Sequence, residues 1–299
     1  MKREPKNIEA SVMDRLRNIA KSNKVNFNWI LKRYAAERFL HRISISDFRS
    51  NLILKGAMMF LAYNLPNLRP TKDIDFAGMN VSNSSDKIKE LMVKITSIKC
   101  NDGISFSGEL AKIDVIKKDA KYNGVRVLVP WKIGKTGENL HIDIGFGDKI
   151  FKGPIEITFP SLLSKSGPKV IAYSLETALA EKAQIIVSLN YYTSRAKDFY
   201  DIHFLCSTIN FRLKDVRSAI LRTFSNRGTK MEDFYLVFSN DFINNKEKEI
   251  LWRSFLLREN LNLDLNFSQL MSKLKRFFIP IIESNMELTW NSKEWQWEK

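Results

Sequence analysis

Apolar positions recur with two different periods along the 299 residues. The change of period divides the chain. Residues 1–24 are polar and charged, which reads as a loose arm or a short helix. From Phe27 the spacing turns helical, with Phe27, Ile30, Leu31, Tyr34, Ala35 and Phe39 on one stripe. The apolar run Leu52-Ile53-Leu54 is cut by Gly56 and followed by a helix-like segment over 57–63. A loop containing Pro66 and Pro70 leads into Asp73-Ile74-Asp75-Phe76, whose alternation predicts a strand. Beyond a Ser/Asn-rich turn, residues 86–98 read as an amphipathic helix. Three β-like runs follow at 111–117, 125–131 and 139–146. Their separators contain Asn123-Gly124 and Gly134 with Gly137, which predicts antiparallel neighbours. From Leu175 the period is helical almost to the end, with breaks near 191–194, 225–230 and 240–246. The predicted class is α/β (α+β), a mixed sheet with flanking helices plus a helical C-terminal domain. After the arm, an α/β domain over 25–160 is expected to meet a helical domain over 161–299, near Pro160, Gly167 and Pro168.

Composition removes several classes of function. Cys100 and Cys206 cannot build a disulfide framework, and with three His they give no zinc spacing. The start lacks the apolar core of a secretory signal, and no apolar stretch reaches the roughly 18 residues of a membrane helix. A cytoplasmic protein without a membrane partner is expected. The 48 Lys and Arg outnumber 33 Asp and Glu, for a net charge of +15. The excess clusters at Arg212, Lys214, Arg217, Arg222, Arg227 and Lys230, and in the N-terminal arm through Arg38. Such clusters suit phosphate-rich partners and salt-sensitive RNA binding, although a solvated helix face has the same composition.

The chemistry is concentrated in carboxylates. Strand side chains alternate faces, so Asp73 and Asp75 point one way while Ile74 and Phe76 point the other. Neighbouring carboxylates resist ionising together, and a divalent cation relieves that repulsion. Magnesium in particular is held by one or two carboxylates plus substrate phosphates. Asp143, opposite in face to Ile142 and Ile144, is the candidate third carboxylate; Asp114 in KIDVI shows the same local pattern. Upstream, Lys55-Gly56-Ala57 reads as a Gly turn into a helix start, an arrangement that offers backbone N–H groups to an anion. Arg69 and Lys72 flank the Asp73–Asp75 strand and are candidates to steady a triphosphate. In the second half, Lys182 projects from an apolar helical stripe, and Arg195 and Asp198 lie on the apolar face of the next helix with Asp201 at its edge. A charge on a core face costs several kcal/mol, roughly, unless it is paired or works on a ligand. A structural pair joining Lys182 or Arg195 to Asp198, or a Lys182 that reaches nucleotide phosphates, would each meet that cost.

The set LKGA (54–57), RPTKDIDF (69–76), IDIGFGD (142–148), ETALAEK (176–182) and SRAKDFYDI (194–202) resembles the AbiEii/AbiGii toxin family of the polymerase β-like nucleotidyltransferase superfamily. The superfamily usually carries Gly-Ser or Gly-Gly where this chain has Gly56-Ala57. A serine hydroxyl on the phosphates is therefore missing. The resemblance implies NMP transfer from an NTP to an acceptor hydroxyl, with Asp73, Asp75 and Asp143 as ligands of two magnesium ions. Lys182 and Asp198 would join the active site, in a cleft completed by the helical domain, and Glu176, Arg195 and Asp201 would support them. It further implies a toxin with tRNA as acceptor and a separately encoded antitoxin. Two other readings are a non-catalytic nucleotide- or RNA-binding protein of this fold, and transfer onto a protein side chain.

Overall fold

The computed structural model describes residues 7–63, 68–119 and 122–299. The chain forms two compact units. Met1–Asn64, Pro70–Gly147 and Pro154–Ala172 make the first; Leu65–Arg69, Asp148–Gly153 and Tyr173–Lys299 make the second. Residues 161–172 thus belong with the sheet. Pro66 and the first six residues of the expected arm lie outside the described residues.

In the first unit, α1 (Ile8–Ser22) opens on Asn7, whose side chain accepts from the amide of Ala10 at 2.9 Å. Val12, Leu16 and Ala20 form its buried stripe, and the helix packs on α2 (Phe27–Ser44). The predicted stripe of α2 is buried from Ile30 through Phe39. Further elements are β1 (Leu52–Lys55), the one-turn α3 (Gly56–Met59), β2 (Asp73–Gly78), α4 (Ser85–Thr96) and β3 (Ser105–Phe106). Then come β4 (Lys112–Asp119), β5 (Tyr122–Ile133), β6 (Thr136–Phe146), β7 (Ile155–Thr158) and β8 (Lys169–Ala172). The mixed sheet runs β3-β5-β6-β2-β1-β8-β7, with β4 also on β5. The three β-like runs are antiparallel neighbours as expected. Asn123-Gly124, however, lies inside β5, paired with Lys117 and Ile116, rather than in a turn. The β5–β6 turn is tight, with Ile133 opposite Thr136 and Gly134 at φ 56°. Alternation sorts the faces. Val125, Val127 and Val129 of β5 and Leu140, Ile142 and Ile144 of β6 point into the core with Ile74 and Phe76 of β2. Their polar neighbours share the other face.

Two cations of the basic N-terminal region serve this core. Arg38 Nε and Arg42 Nη1 donate to Asp102 Oδ2 at 2.7 and 2.8 Å, and Arg42 is only 3% exposed. They are structural partners of Asp102, not surface charge for nucleic acid.

The second unit comprises α5 (Leu175–Leu189), α6 (Ala196–Thr208), α7 (Leu213–Arg227), α8 (Phe234–Val237), α9 (Asn240–Ile243), α10 (Lys246–Arg258) and α11 (Phe267–Glu283). It closes on a hairpin of β9 (Thr289–Asn291) and β10 (Gln296–Glu298) where the hydrophobic period suggested helix. Ser174 caps α5 and an Asn266–Gln269 capping box opens α11. The apolar stripe of α11, Phe267, Leu270, Met271, Leu274, Phe277, Phe278 and Ile281, is buried. Trp290 is fully buried and donates to the Cys206 carbonyl at 2.7 Å, while Trp297 donates to the Phe277 carbonyl at 3.0 Å. These tryptophans complete the core. Trp295 stacks on His203, whose pKa burial, aided by Lys273, lowers to about 4. The unfolded chain therefore binds the extra proton between about pH 6.5 and pH 4, so stability rises with pH across that window. Urea denaturation along a pH series is expected to show a loss of about 3 kcal/mol from pH 6.5 down to pH 4. A His203→Gln variant should remove most of that slope.

Candidate active site

One cross-strand row gathers the predicted acidic groups of the first unit. Lys55 of β1 pairs in register with Asp75 of β2, and Asp75 with Asp143 of β6. Asp143 pairs with Arg126 of β5, and Arg126 with Asp114 of β4. All five side chains occupy the polar face. Neighbouring strands lie about 4.8 Å apart, so Asp75 and Asp143 are held side by side. Asp73 stands two residues along β2 on the same face, opposite His141, whose Nδ1 lies 3.9 Å from Asp73 Oδ1. Of the two candidates for a third carboxylate, Asp143 is beside Asp75, whereas Asp114 is beyond the strand that carries Arg126. Lys72 is exposed immediately before β2.

Gly56 fits this row for a steric reason. Its φ is +68°, and a Cβ there would collide with Asp75 Oδ2. Only glycine lets the chain turn so closely over that carboxylate. The helix that follows is a single turn before a 3-10 segment over Phe60–Tyr63, so its dipole is small. An anion at this turn also faces the Asp75 carboxylate. The anion-binding reading of Lys55-Gly56-Ala57 therefore depends on cations placed between them.

Asp73, Asp75 and Asp143 offer only hard oxygen donors, the chemistry magnesium prefers. Among the described residues no group of three or more His, Cys, Asp or Glu is drawn together tightly enough to hold a metal ion. Arg126 engages one of the three carboxylates. Its Nε and Nη2 donate to Asp143 Oδ1 and Oδ2 at 2.8 and 2.7 Å. The hydrogen bonds and charge of Asp143, and to a lesser degree the charges of Asp73 and Asp75, raise the guanidinium pKa. Nothing in the sequence motifs singled out Arg126. The signal was its place as a charged residue in the apolar run Val125-Arg126-Val127, which becomes informative once the β5–β6 register is known.

In the second unit the charged core positions form one buried network. Lys182 Nζ donates to Asp201 Oδ2 at 2.6 Å and to Asp198 Oδ1 at 3.2 Å. Arg195 Nε donates to Asp198 Oδ2, and Arg69 forks onto Asp201 with two bonds of 2.8 Å. Burial raises the Asp198 pKa, but Lys182 and Arg195 outweigh it and hold the carboxyl low. Burial likewise opposes the charge of Lys182, and Asp201 and Asp198 overcome it. Arg69, expected beside the Asp73–Asp75 strand, instead grips Asp201, because a planar guanidinium matches a buried carboxylate in two bonds. Asp201, expected at the edge of a helix face, is 2% exposed and central. Glu176 lies half-buried in the first turn of α5, outside this network. A second network, absent from the sequence reading, joins Arg227 to Asp148 at 2.9 Å and Glu181 at 2.7 Å, with Tyr173 donating to Asp148 at 2.8 Å.

The sequence family completes the assignment. Residues 38–273 match the family described as nucleotidyl transferase AbiEii toxin, type IV TA system. The chain belongs to that family. It is accordingly a nucleotidyltransferase toxin of a type IV toxin–antitoxin system, a family that implies an NTP substrate and an antitoxin partner. The fold is similar to that of MenT4, a nucleotidyltransferase toxin from Mycobacterium tuberculosis. That match has TM-score 0.54 at 13% identity, over 96% of this chain and 92% of that one. JHP933 from Helicobacter pylori matches with TM-score 0.48 at 17% identity, over 85% of this chain and 91% of its own. No curated protein sequence matches. No helix among the described residues is long and apolar enough to cross a membrane.

The basic run of this AbiEii toxin divides by role. Arg217 donates to the carbonyls of Ile281 and Ile282 at the C-terminal end of α11, and Arg227 is spent in the Asp148 network. Lys214 stands 3.8 Å from Glu287. Arg212, Arg222 and Lys230 are exposed. Arg222 lines a groove of about 500 Å³ with Lys149, Phe151, Ser218 and Ser225.

Proposed function

We propose that this toxin transfers a nucleoside monophosphate from an NTP to a hydroxyl at the 3′ end of tRNA, in the cytoplasm, with magnesium as cofactor. The observation that carries the reading is the register pairing of Asp75 with Asp143 on adjacent strands, with Asp73 on the same face. Asp73 and Asp75 would hold the metal, joined by Asp143 when Arg126 yields it. Magnesium bound there would neutralise charge on the attacking and leaving oxygens. The acceptor oxygen forms the new bond to the α-phosphorus, the bond to the β-phosphate bridge breaks, and pyrophosphate leaves. The hydroxyl proton passes to a carboxylate of the row. Lys55, beside Asp75, supplies positive charge near the triphosphate. The Gly56 turn keeps the backbone low over the carboxylate so that the phosphates can approach. The family resemblance adds Lys182 and Asp198 to the reacting groups, and a Lys182→Ala variant tests that role. Exposed Lys149, Arg212, Arg222 and Lys230 provide phosphate contacts for an RNA acceptor.

The test incubates the purified protein with magnesium, each labelled NTP in turn, and total tRNA. Label in the RNA supports the proposal. Label confined to protein would move the acceptor to a side chain. No label with any NTP or acceptor would leave a binding protein of this fold.

A further inference from the structure

The Arg126 guanidinium is engaged by all three carboxylates of the acidic face, Asp143 by hydrogen bonds and charge, Asp73 and Asp75 by charge. Its fork donates one hydrogen bond each to Asp143 Oδ1 and Oδ2, the atoms a metal ion would need. The pair is unequal in exposure: the Asp143 side chain is 21% exposed and that of Arg126 is 48%. Arg126 can therefore swing away into solvent, whereas Asp143 stays fixed on β6 beside Asp75. A monovalent, delocalised cation offsets the repulsion of Asp73, Asp75 and Asp143 less completely than a compact divalent ion. The two cations compete for one carboxylate, and the protein supplies the weaker one permanently.

We propose that Arg126 is the resident counter-ion of this site, holding Asp143 until a divalent cation displaces it and thereby setting the metal affinity of the toxin. The inference rests on the reading of Asp73, Asp75 and Asp143 as metal ligands. Arg126 is here a positioning residue: it acts on the cofactor through Asp143. It keeps the acidic face assembled when metal is absent, and its departure accompanies loading. Removing it should therefore strengthen metal binding, the reverse of what loss of an ordinary supporting residue would do.

The experiment titrates Mn²⁺ into the full-length protein without nucleotide and follows the free-ion signal by electron paramagnetic resonance. Arg126→Ala is expected to bind Mn²⁺ at least about tenfold more tightly than wild type, the scale of one charge-assisted bidentate contact. Arg126→Lys keeps the charge without the fork and should fall between them. Asp143→Asn and the double variant Asp143→Asn/Arg126→Ala should differ by less than wild type and Arg126→Ala do, because the contested carboxylate is gone and Arg126 then acts on Asp73 and Asp75 by charge alone. Magnesium should also raise the melting temperature of Arg126→Ala more than that of wild type. Equal or weaker Mn²⁺ binding by Arg126→Ala, with wild type still binding, overturns the inference and leaves the metal reading standing. Absence of Mn²⁺ binding in every variant overturns both.

Discussion

Asp75→Asn is expected to cut nucleotide transfer by about a hundredfold to a thousandfold, the scale on which loss of one electrostatic partner of a reacting group is felt. The amide keeps the shape that sits against Gly56 and removes only the charge. It also relieves repulsion from Asp143, its register partner. The sheet should stay folded while activity disappears. Label transfer and thermal melting on the same preparation separate the two effects. Asp114→Asn provides the matched control. It sits in the same row and on the same face, but next to Arg126 on the side away from Asp143. Its rate should stay within about twofold, as for a surface substitution away from the reacting groups. Wild-type turnover by Asp75→Asn would exclude that carboxylate from the chemistry.

Lys182→Ala carries the largest expected loss of stability. Breaking a buried ion pair by removing one partner typically costs 3–5 kcal/mol, because the other charge stays behind. Here Arg195 still holds Asp198 and Arg69 still holds Asp201, so the lower end, about 3 kcal/mol, is expected. The melting temperature of the second unit should fall by about 10 °C. Asp198 also becomes easier to protonate. Asp198 is held below the usual carboxylate range, so its share of stability is present above the unfolded carboxylate pKa and is lost as pH falls through the folded one. In Lys182→Ala that acid loss should begin at a higher pH. Transfer measured well below the melting range tests the role of the amine on phosphate. A deficit of about a hundredfold in folded protein places Lys182 in the chemistry, and a near-normal rate makes it a staple between α5 and α6.

Strand alternation alone put Asp73, Asp75 and Asp143 on polar positions and Ile74, Phe76, Ile142 and Ile144 in the core. Period two is a local property, and the structure bears it out. Register between strands is not local. That Asp75 meets Asp143 depends on β2 and β6 aligning across a long separation, and that Arg126 stands between Asp143 and Asp114 depends on the register of two successive antiparallel pairs. Arg126 was consequently invisible as a site residue. Helical geometry marked Lys182, Asp198 and Arg195 as misplaced charges, because a charge on an apolar stripe stands out in any frame. It could not supply Arg69, which comes from more than a hundred residues away. The C-terminal hairpin was missed for a related reason. Its strands are three residues each, too short for a period to show, and three tryptophans rather than alternation hold it in place.

The capping of α11 by Arg217 and the commitment of Arg227 to Asp148 and Glu181 bear on how this toxin should respond to ionic strength. A cation already committed to protein carbonyls or carboxylates releases no counterion when RNA arrives. Of the six basic residues between 212 and 230, only Arg212, Arg222 and Lys230 are exposed without such a commitment, and Lys214 is half-engaged by Glu287. A plot of log affinity against log salt should thus gain a slope of only roughly −2 to −3 from this segment on a single-stranded acceptor. Alanine at Arg217 or Arg227 would weaken RNA retention through a loosened helical core, with the slope itself unchanged.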